Sequence, residues 1–589
     1  MSSTQKKIFT LLAICSFIIS IIFVCACVDS LAQKVFEIVI RFKPMKADRL
    51  EQLKGVLLGN AFLFFVFGIL FILLQFLKFE EAEETIHFFP KNLKRIRINQ
   101  RTIAVVLTFL GISCIRFYWL NQKISFHEDE IYSVSIVTQN EYGLWSGKDF
   151  NQNQAYTGKQ IKDAIFFDDA SIKDTFRDLA HLWIYNRDAA HNNLYLYLCR
   201  IWFTGFKSSD FKAIFFRAGL LNYLFFCFSF YFLYLILTQI TNNILSKILI
   251  LLASFLNPAS VGLSLFMRSY ALQETTLILF VYVFIFYYKN IINHKNIMSL
   301  KNLIRTSIVI TLVFSTDYFP MILVAVLGLV LVFTSIKQKN GKIIHYLFCA
   351  VFLGFLFTKI TYINYGTGFF SGRGAEAFST ISAGSHTLQT VYLTNTFISK
   401  NMLPFFIMII IMILSCFYNF ITTKKIISIN IIIFFSAISF IFIILYVTPV
   451  IALRYIAVVF VFLPFGMLFL IKKSRFSYVF YVVQSLITIC VILNVMPIKQ
   501  NFNKIEHLND SKKQYVSSKF FNDISTPVVI RNRADYPNIL PYLKDEEIVY
   551  FASSIEQAKT YDLKTDKFWY VDVIKKDNIL TLTEELIVK

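Results

Sequence analysis

Charge, proline, glycine and cysteine are all scarce in this sequence. Only 16% of its 589 residues are charged, against 56% hydrophobic and 17% aromatic, and the mean hydropathy is +0.59. So little charge excludes a soluble globular chain of this length, which would need far more polar surface. With 11 prolines and 19 glycines, the chain also lacks the Gly- or Pro-broken central helices of many secondary transporters, and no inverted repeat is visible. Cys15, Cys25, Cys27, Cys114, Cys199, Cys227, Cys349, Cys416 and Cys490 all fall inside apolar runs except Cys199. Their spacing offers no disulfide framework, zinc pattern or redox motif. No low-complexity tract stands out.

What the chain does have is long apolar runs, repeated from Ile8 to Met496. A bilayer takes about 20 apolar residues per helix, which gives about thirteen spans here. Their cores are Ile8 to Val28, Val56 to Leu77, Thr102 to Leu120, Phe215 to Leu237, Ile244 to Leu265, Ala271 to Tyr288 and Ile304 to Phe314. Met321 to Phe333, Ile343 to Ile360, Met402 to Phe420, Ile427 to Tyr446, Ile456 to Ile471 and Val479 to Met496 complete the set. Backbone in lipid must satisfy its own hydrogen bonds, so the expected fold class is a polytopic α-helical membrane protein. The first span follows Lys6 and Lys7 but lacks a small-residue cleavage site, and reads as a retained anchor.

The formal charge of +21 does not indicate nucleic acid, because the basic residues cluster in short loops. They read as topology signals and contacts to lipid headgroups. Lys91 to Arg101, Lys289 to Lys301, Lys337 to Lys342, Lys424 with Lys425, and Lys472 to Arg475 all fall on one side if the spans alternate. That side is expected to be cytoplasmic. The segment from Lys34 to Lys54 opposes this, being basic yet on the other side. Three segments then face outward: a large loop over 121–212, a second from Asn364 to about Lys400, and a tail from Lys499 to Lys589. Apolar runs in the tail shorten to strand length at Thr526 to Ile530, Glu547 to Phe551 and Phe568 to Val573, which predicts a small C-terminal extracytoplasmic α/β domain. The expected division is 1–101 for two N-terminal helices and a basic loop, 102–498 for a transmembrane catalytic module, and 499–589 for the α/β domain.

The large outer loop opens Phe126-His-Glu-Asp-Glu-Ile-Tyr-Ser133, with three consecutive carboxylates close to the membrane surface. Such a run is either a solvated acidic loop or a catalytic base with a neighbour that tunes it. Further on comes Arg187-Asp-Ala-Ala-His-Asn-Asn-Leu-Tyr-Leu-Tyr-Leu-Cys-Arg-Ile-Trp202, whose interleaved apolar residues and Arg200 suit a helix lying in the interface plane. Asp317, in Ser315-Thr-Asp-Tyr318, stands at the outer end of another span.

These residues resemble the GT-C type membrane glycosyltransferases, in particular the protein O-mannosyltransferase and aminoarabinose-transferase-like branch. Asp129-Glu130 followed by Ile131-Tyr132 is similar to the family's Asp-Glu pair, which sits just after a transmembrane helix. His191-Asn-Asn-Leu-Tyr195 is similar to its His-Pro-Pro-Leu-Tyr element, with Asn in place of both prolines. Met267-Arg-Ser-Tyr-Ala-Leu272 is similar to its Arg-x-Tyr-Ala-Leu, and Leu453-Arg-Tyr455 to an Arg-Tyr that opens a late span. The resemblance covers roughly Thr102 to Met496.

It implies a bacterial inner-membrane enzyme that takes a polyprenyl-phosphate-linked sugar as donor and a glycan, lipid or protein as acceptor, on the outer face. The residues suit that chemistry. A departing phosphate needs positive charge more than a general acid, which Arg268 and Arg454 would supply, with Tyr270 and His191 beside the donor. The acceptor hydroxyl needs a base, for which Asp129 is the candidate. Glu130 would position the acceptor or hold a cation, and Asp317 would contact acceptor or metal. No dedicated ligand cluster exists beyond the acidic loop, so the metal is unknown and a divalent cation stays open as a cofactor. An oligosaccharide polymerase or ligase, and a lipid or oligosaccharide transporter, are the competing readings.

Overall fold

A computed structural model describes residues 3–42, 100–123, 128–138, 153–165, 171–184, 193–208, 210–295, 297–363, 428–448, 453–466, 523–531, 543–563, 565–576 and 579–588, with scattered positions between these stretches. In chain order the helices are α1 (Ser3–Ala26), α2 (Asp29–Phe42), α3 (Gln100–Gln122), α4 (Glu128–Thr138), α5 (Gly158–Ile165), α6 (Ile172–Ile184), α7 (Leu194–Trp202), α8 (Phe211–Ile240) and α9 (Ile244–Phe255). They continue with α10 (Pro258–Leu265), α11 (Tyr270–Ile292), α12 (Leu300–Phe314), α13 (Pro320–Lys337), α14 (Gly341–Thr361), α15 (Ile429–Val447), α16 (Leu453–Ala457) and α17 (Ile555–Lys559).

Among the described residues, α3, α8, α11, α13, α14 and α15 are long and apolar enough to cross a membrane. Two bent pairs raise the number to eight if each counts as one span. This is compatible with a multi-pass membrane protein. The expected spans at Val56 to Leu77, Met402 to Phe420 and Val479 to Met496 lie largely outside the described residues. At the centre stands α11, with 78% of its most apolar window buried. It packs against α8, α12 and α13, while α12 runs along α14 and α13 against α15.

Two expected spans are not continuous helices. Ile244 to Leu265 divides into α9 and α10, bent by 56°. The cause is local: Pro258 has no N–H to donate and pushes Asn257 into extended backbone. The Asn257 side chain then caps α10 by accepting from the Ser260 N–H at 2.8 Å, so the expectation of helices unbroken by proline fails here. The described part of Ile456 to Ile471 is α16 followed by a 3₁₀ helix, Phe460–Gly466, which contains Pro464 and is buried throughout. The Ser254 hydroxyl donates to the Val461 carbonyl at 2.8 Å, satisfying backbone that an α-helix would have satisfied itself.

Among the described residues, five strands form one sheet in the order β1-β3-β2-β4-β5. β2 (Val528–Arg531), β3 (Ile548–Ala552), β4 (Lys567–Lys576) and β5 (Ile579–Val588) come from the tail, but β1 (Tyr156–Thr157) comes from the large loop. The sheet is therefore not built from 499–589 alone. β2 lies parallel to β3 and β4, while β5 and β1 are antiparallel edges. Gly158 follows β1 directly, its N–H donating to the Glu547 carbonyl at 2.8 Å. A Cβ there would collide with the Lys544 carbonyl, so a residue without one lets loop and tail meet. Alternation along the strands splits the sheet's apolar residues between two faces. Val528, Ile530, Val549, Phe551 and Val571 pack in one cluster with Val134 and Val137 of α4, while Val529, Tyr550, Phe568 and Tyr570 pack on the other side with Tyr561 and Leu563.

Candidate active site

Asp129 sits in the first turn of α4, where its carboxylate meets two guanidiniums. Oδ2 is 2.9 Å from Arg454 Nη2, and Oδ1 is 3.7 Å from Arg268 Nη2. The three side chains are 20%, 13% and 8% exposed respectively, so the cluster is partly open. Two guanidiniums thus converge on one carboxylate. Arg454 also stands over the rings of Tyr455, at 5.2 Å, and Phe266, at 5.9 Å. Flat aromatic faces favour a cation in that position. Tyr270, the first residue of α11, is buried between the same two rings, 5.9 Å from Phe266 and 6.3 Å from Tyr455.

Glu130 does something else. It is buried, and its Oε1 accepts from both the Lys123 ammonium and the Met267 N–H, the latter at 2.7 Å. Lys123 in turn donates to the Leu265 carbonyl at 2.6 Å, and the Asn222 amide donates to the carbonyls of Ser264, at 3.2 Å, and Phe266, at 2.8 Å. The backbone between α10 and α11 would otherwise carry unpaired polar groups in a buried place. Glu130, Lys123 and Asn222 satisfy it and hold the turn that presents Arg268. Glu130, expected to position the acceptor or hold a cation, thus has Lys123 and the Met267 N–H as partners beside the turn that carries Arg268. Lys123 and Asn222 were missed in the sequence, although a polar Asn inside an apolar span is the usual signal for such a residue.

Asp317 is also fully engaged. Its Oδ2 accepts from the Gln273 amide at 3.0 Å and its Oδ1 from the Tyr318 N–H at 2.6 Å. Gln273 donates as well to Ser269 Oγ at 2.9 Å, so Asp317 reaches the Arg268 turn through α11 and does not meet Asp129 directly. His191 lies outside the described residues. Asn193 of the same motif is buried, and its amide bridges the Leu182 carbonyl and Tyr197 Oη. The helix expected to lie in the interface plane is α7. It buries Tyr195, Leu196, Cys199 and Arg200 against its neighbours and leaves Ile201 exposed.

A second charged network braces the α9–α10 break. Arg116 of α3 donates to the Phe255 carbonyl at 3.0 Å and to Ser260 Oγ at 2.9 Å, and Ser260 Oγ donates to Glu274 Oε2 at 2.9 Å. Neither Arg116 nor Glu274 was singled out as a sequence candidate. Among the described residues no group of three or more His, Cys, Asp or Glu could hold a metal ion. No family model matches the chain, and no curated protein or solved structure does.

Proposed function

We propose that this protein is a membrane glycosyltransferase that moves a sugar from a polyprenyl-phosphate donor to an envelope acceptor, working at the outer face of a bacterial inner membrane. The observation that carries the reading is the Asp129 carboxylate between Arg454, at 2.9 Å, and Arg268, at 3.7 Å. Two convergent guanidiniums suit a phosphate, and a guanidinium fork binds phosphate in the bidentate way it binds carboxylate. A donor phosphate that draws the arginines to itself would leave Asp129 able to accept the acceptor hydroxyl's proton as the new glycosidic bond forms. The same arginines would carry the charge of the departing phosphate. Substrate binding and activation of the base would thus be one event.

A transporter is the second reading, favoured by the broken α9–α10 pair and the buried Arg116–Ser260–Glu274 network beside it. One assay separates the two. Membranes bearing the protein should consume a polyprenyl-phosphate sugar, ignore a nucleotide sugar and release free polyprenyl phosphate. Movement of the intact lipid-linked sugar across the membrane with no release of polyprenyl phosphate would overturn the transferase reading.

A further inference from the structure

The large loop contains an amphipathic helix whose apolar side is turned outward. On α6, Ile172 is 69% exposed, Phe176 70% and Trp183 42%, and Ala180 is exposed with them. Their spacing of four, four and three residues puts them in one stripe along a helix. Thr175, Asp178 and Leu182 are buried on the other side. That side is fixed to α7 and the residues flanking it by three links: Thr175 Oγ1 to Thr204 Oγ1 at 3.0 Å, Asp178 to Arg200 at 2.7 Å, and the Leu182 carbonyl to Asn193. The helix is thus held with its apolar stripe out, and this orientation is not a result of loose packing. Lys173 and Arg177 are exposed beside the stripe.

Two hydrogen bonds place this helix at the edge of the candidate membrane spans. Trp183 Nε1 donates to the Ile360 carbonyl at 2.7 Å, and Tyr197 Oη of α7 donates to the Thr361 carbonyl at 2.9 Å. Both carbonyls belong to the last turn of α14, whose outward residues Phe348, at 65% exposed, and Ile360, at 54%, are apolar. The Trp183 end of the α6 stripe therefore meets the last turn of α14, which carries the exposed Ile360. A tryptophan with its ring in an apolar stripe and its N–H on a helix end matches the residue enriched at membrane interfaces.

We propose that α6 lies flat in the bilayer surface, with Ile172, Phe176, Ala180 and Trp183 immersed about 5–10 Å deep among the lipid chains. Lys173 and Arg177 would stand at the level of anionic headgroups. The occupant of the stripe is lipid because the stripe abuts the end of a candidate membrane span and carries basic residues at its side. This goes beyond the transferase reading and does not rest on it. Its consequence is mechanical: α6 holds α7, α7 packs on α4, and α4 carries Asp129, so a grip on lipid at α6 fixes the height of the Asp129 cluster above the hydrocarbon.

The test uses the full chain in nanodiscs that contain a phospholipid with a photoreactive diazirine in its acyl chain. Cross-links mapped by mass spectrometry should fall on 172–183 as heavily as on Phe333 and Phe348 of the candidate spans. Phe176→Ser should reduce label on 172–183 several-fold without changing Phe333, whereas Phe176→Leu should keep it. Normal label at Phe333 and Phe348 with none on 172–183 would overturn the proposal. So would cross-links that join α6 of two copies in place of lipid.

Discussion

Asp129 and Glu130 are adjacent carboxylates in one helical turn, and they sit in opposite surroundings. Asp129 is 20% exposed and shares two arginines in a cluster that is partly open. Glu130 is 1% exposed, paired to a lysine that is itself 3% exposed, and holds a backbone N–H. The first arrangement can exchange partners; the second cannot, because every exchange would leave a charge buried without compensation. Asp178 with Arg200, at 2.7 Å and almost fully buried, belongs with the second kind. A partly open cluster is thus carried on a frame of buried pairs, and charge alone does not reveal which is which.

The largest expected effect breaks the frame. Lys123→Met leaves Glu130 and the Leu265 carbonyl without their partner in a buried place. It should cost about 3–5 kcal/mol, read as a lower unfolding midpoint in a denaturant titration of the solubilised protein. Glu130→Met added to it should recover much of that loss, since no buried charge then remains unpaired. A single Lys123→Met with an unchanged midpoint would show that Glu130 belongs with Asp129 after all.

The site should respond in the opposite sense. Asp129→Asn keeps shape and volume, so the midpoint should stay near wild type while turnover falls by about 10² or more, the usual worth of a general base. Turnover within a few-fold of wild type at equal membrane abundance would remove Asp129 from the chemistry. Arg454→Ala should weaken use of the donor, with Arg454→Lys partly restoring it, because an ammonium supplies charge without the planar fork. If Ala and Lys at 454 behave alike, the guanidinium geometry has no part in binding and only the cluster's packing matters.

Some of this was legible in the sequence. Long apolar runs account for α3, α8, α11, α13, α14 and α15, since length and hydropathy alone define a candidate span. Asp129, Arg268 and Arg454 stood at the ends of three different runs, and the structure brings them together. The division between Asp129 and Glu130 was not legible. Successive residues on a helix point about 100° apart, so a pair that reads as one motif faces two environments. Lys123 looked like a loop lysine because its partners lie 7 and 142 residues away. Two strands of the sheet were not read from the sequence, β5 and β1, the latter for a related reason. Tyr156 and Thr157 form a two-residue strand with no periodicity to read, paired with Ile548 and Val549. The α9–α10 break had a local signal in Asn257-Pro258, which the surrounding hydropathy masked.

The smallest expected effect concerns the frame again, at the pair that fastens α6 to α7. Burial pushes the Asp178 carboxyl up from 3.8 to about 6, although the Arg200 guanidinium and Arg177 both pull it down. Between those two values the folded protein holds a proton that the unfolded chain has released. Stability from this group is therefore complete below the unfolded value and is lost as pH rises through 6. The unfolding midpoint of the solubilised protein should fall between about pH 4 and about pH 7 by an amount on the order of 1 kcal/mol. Asp178→Asn has no proton to lose, so its midpoint should be flatter across the same window. A variant with the full wild-type slope would assign the titration to another group. A wild type that grows more stable through the window would mean that Arg200 outweighs burial at this pair, reversing the order of the two terms.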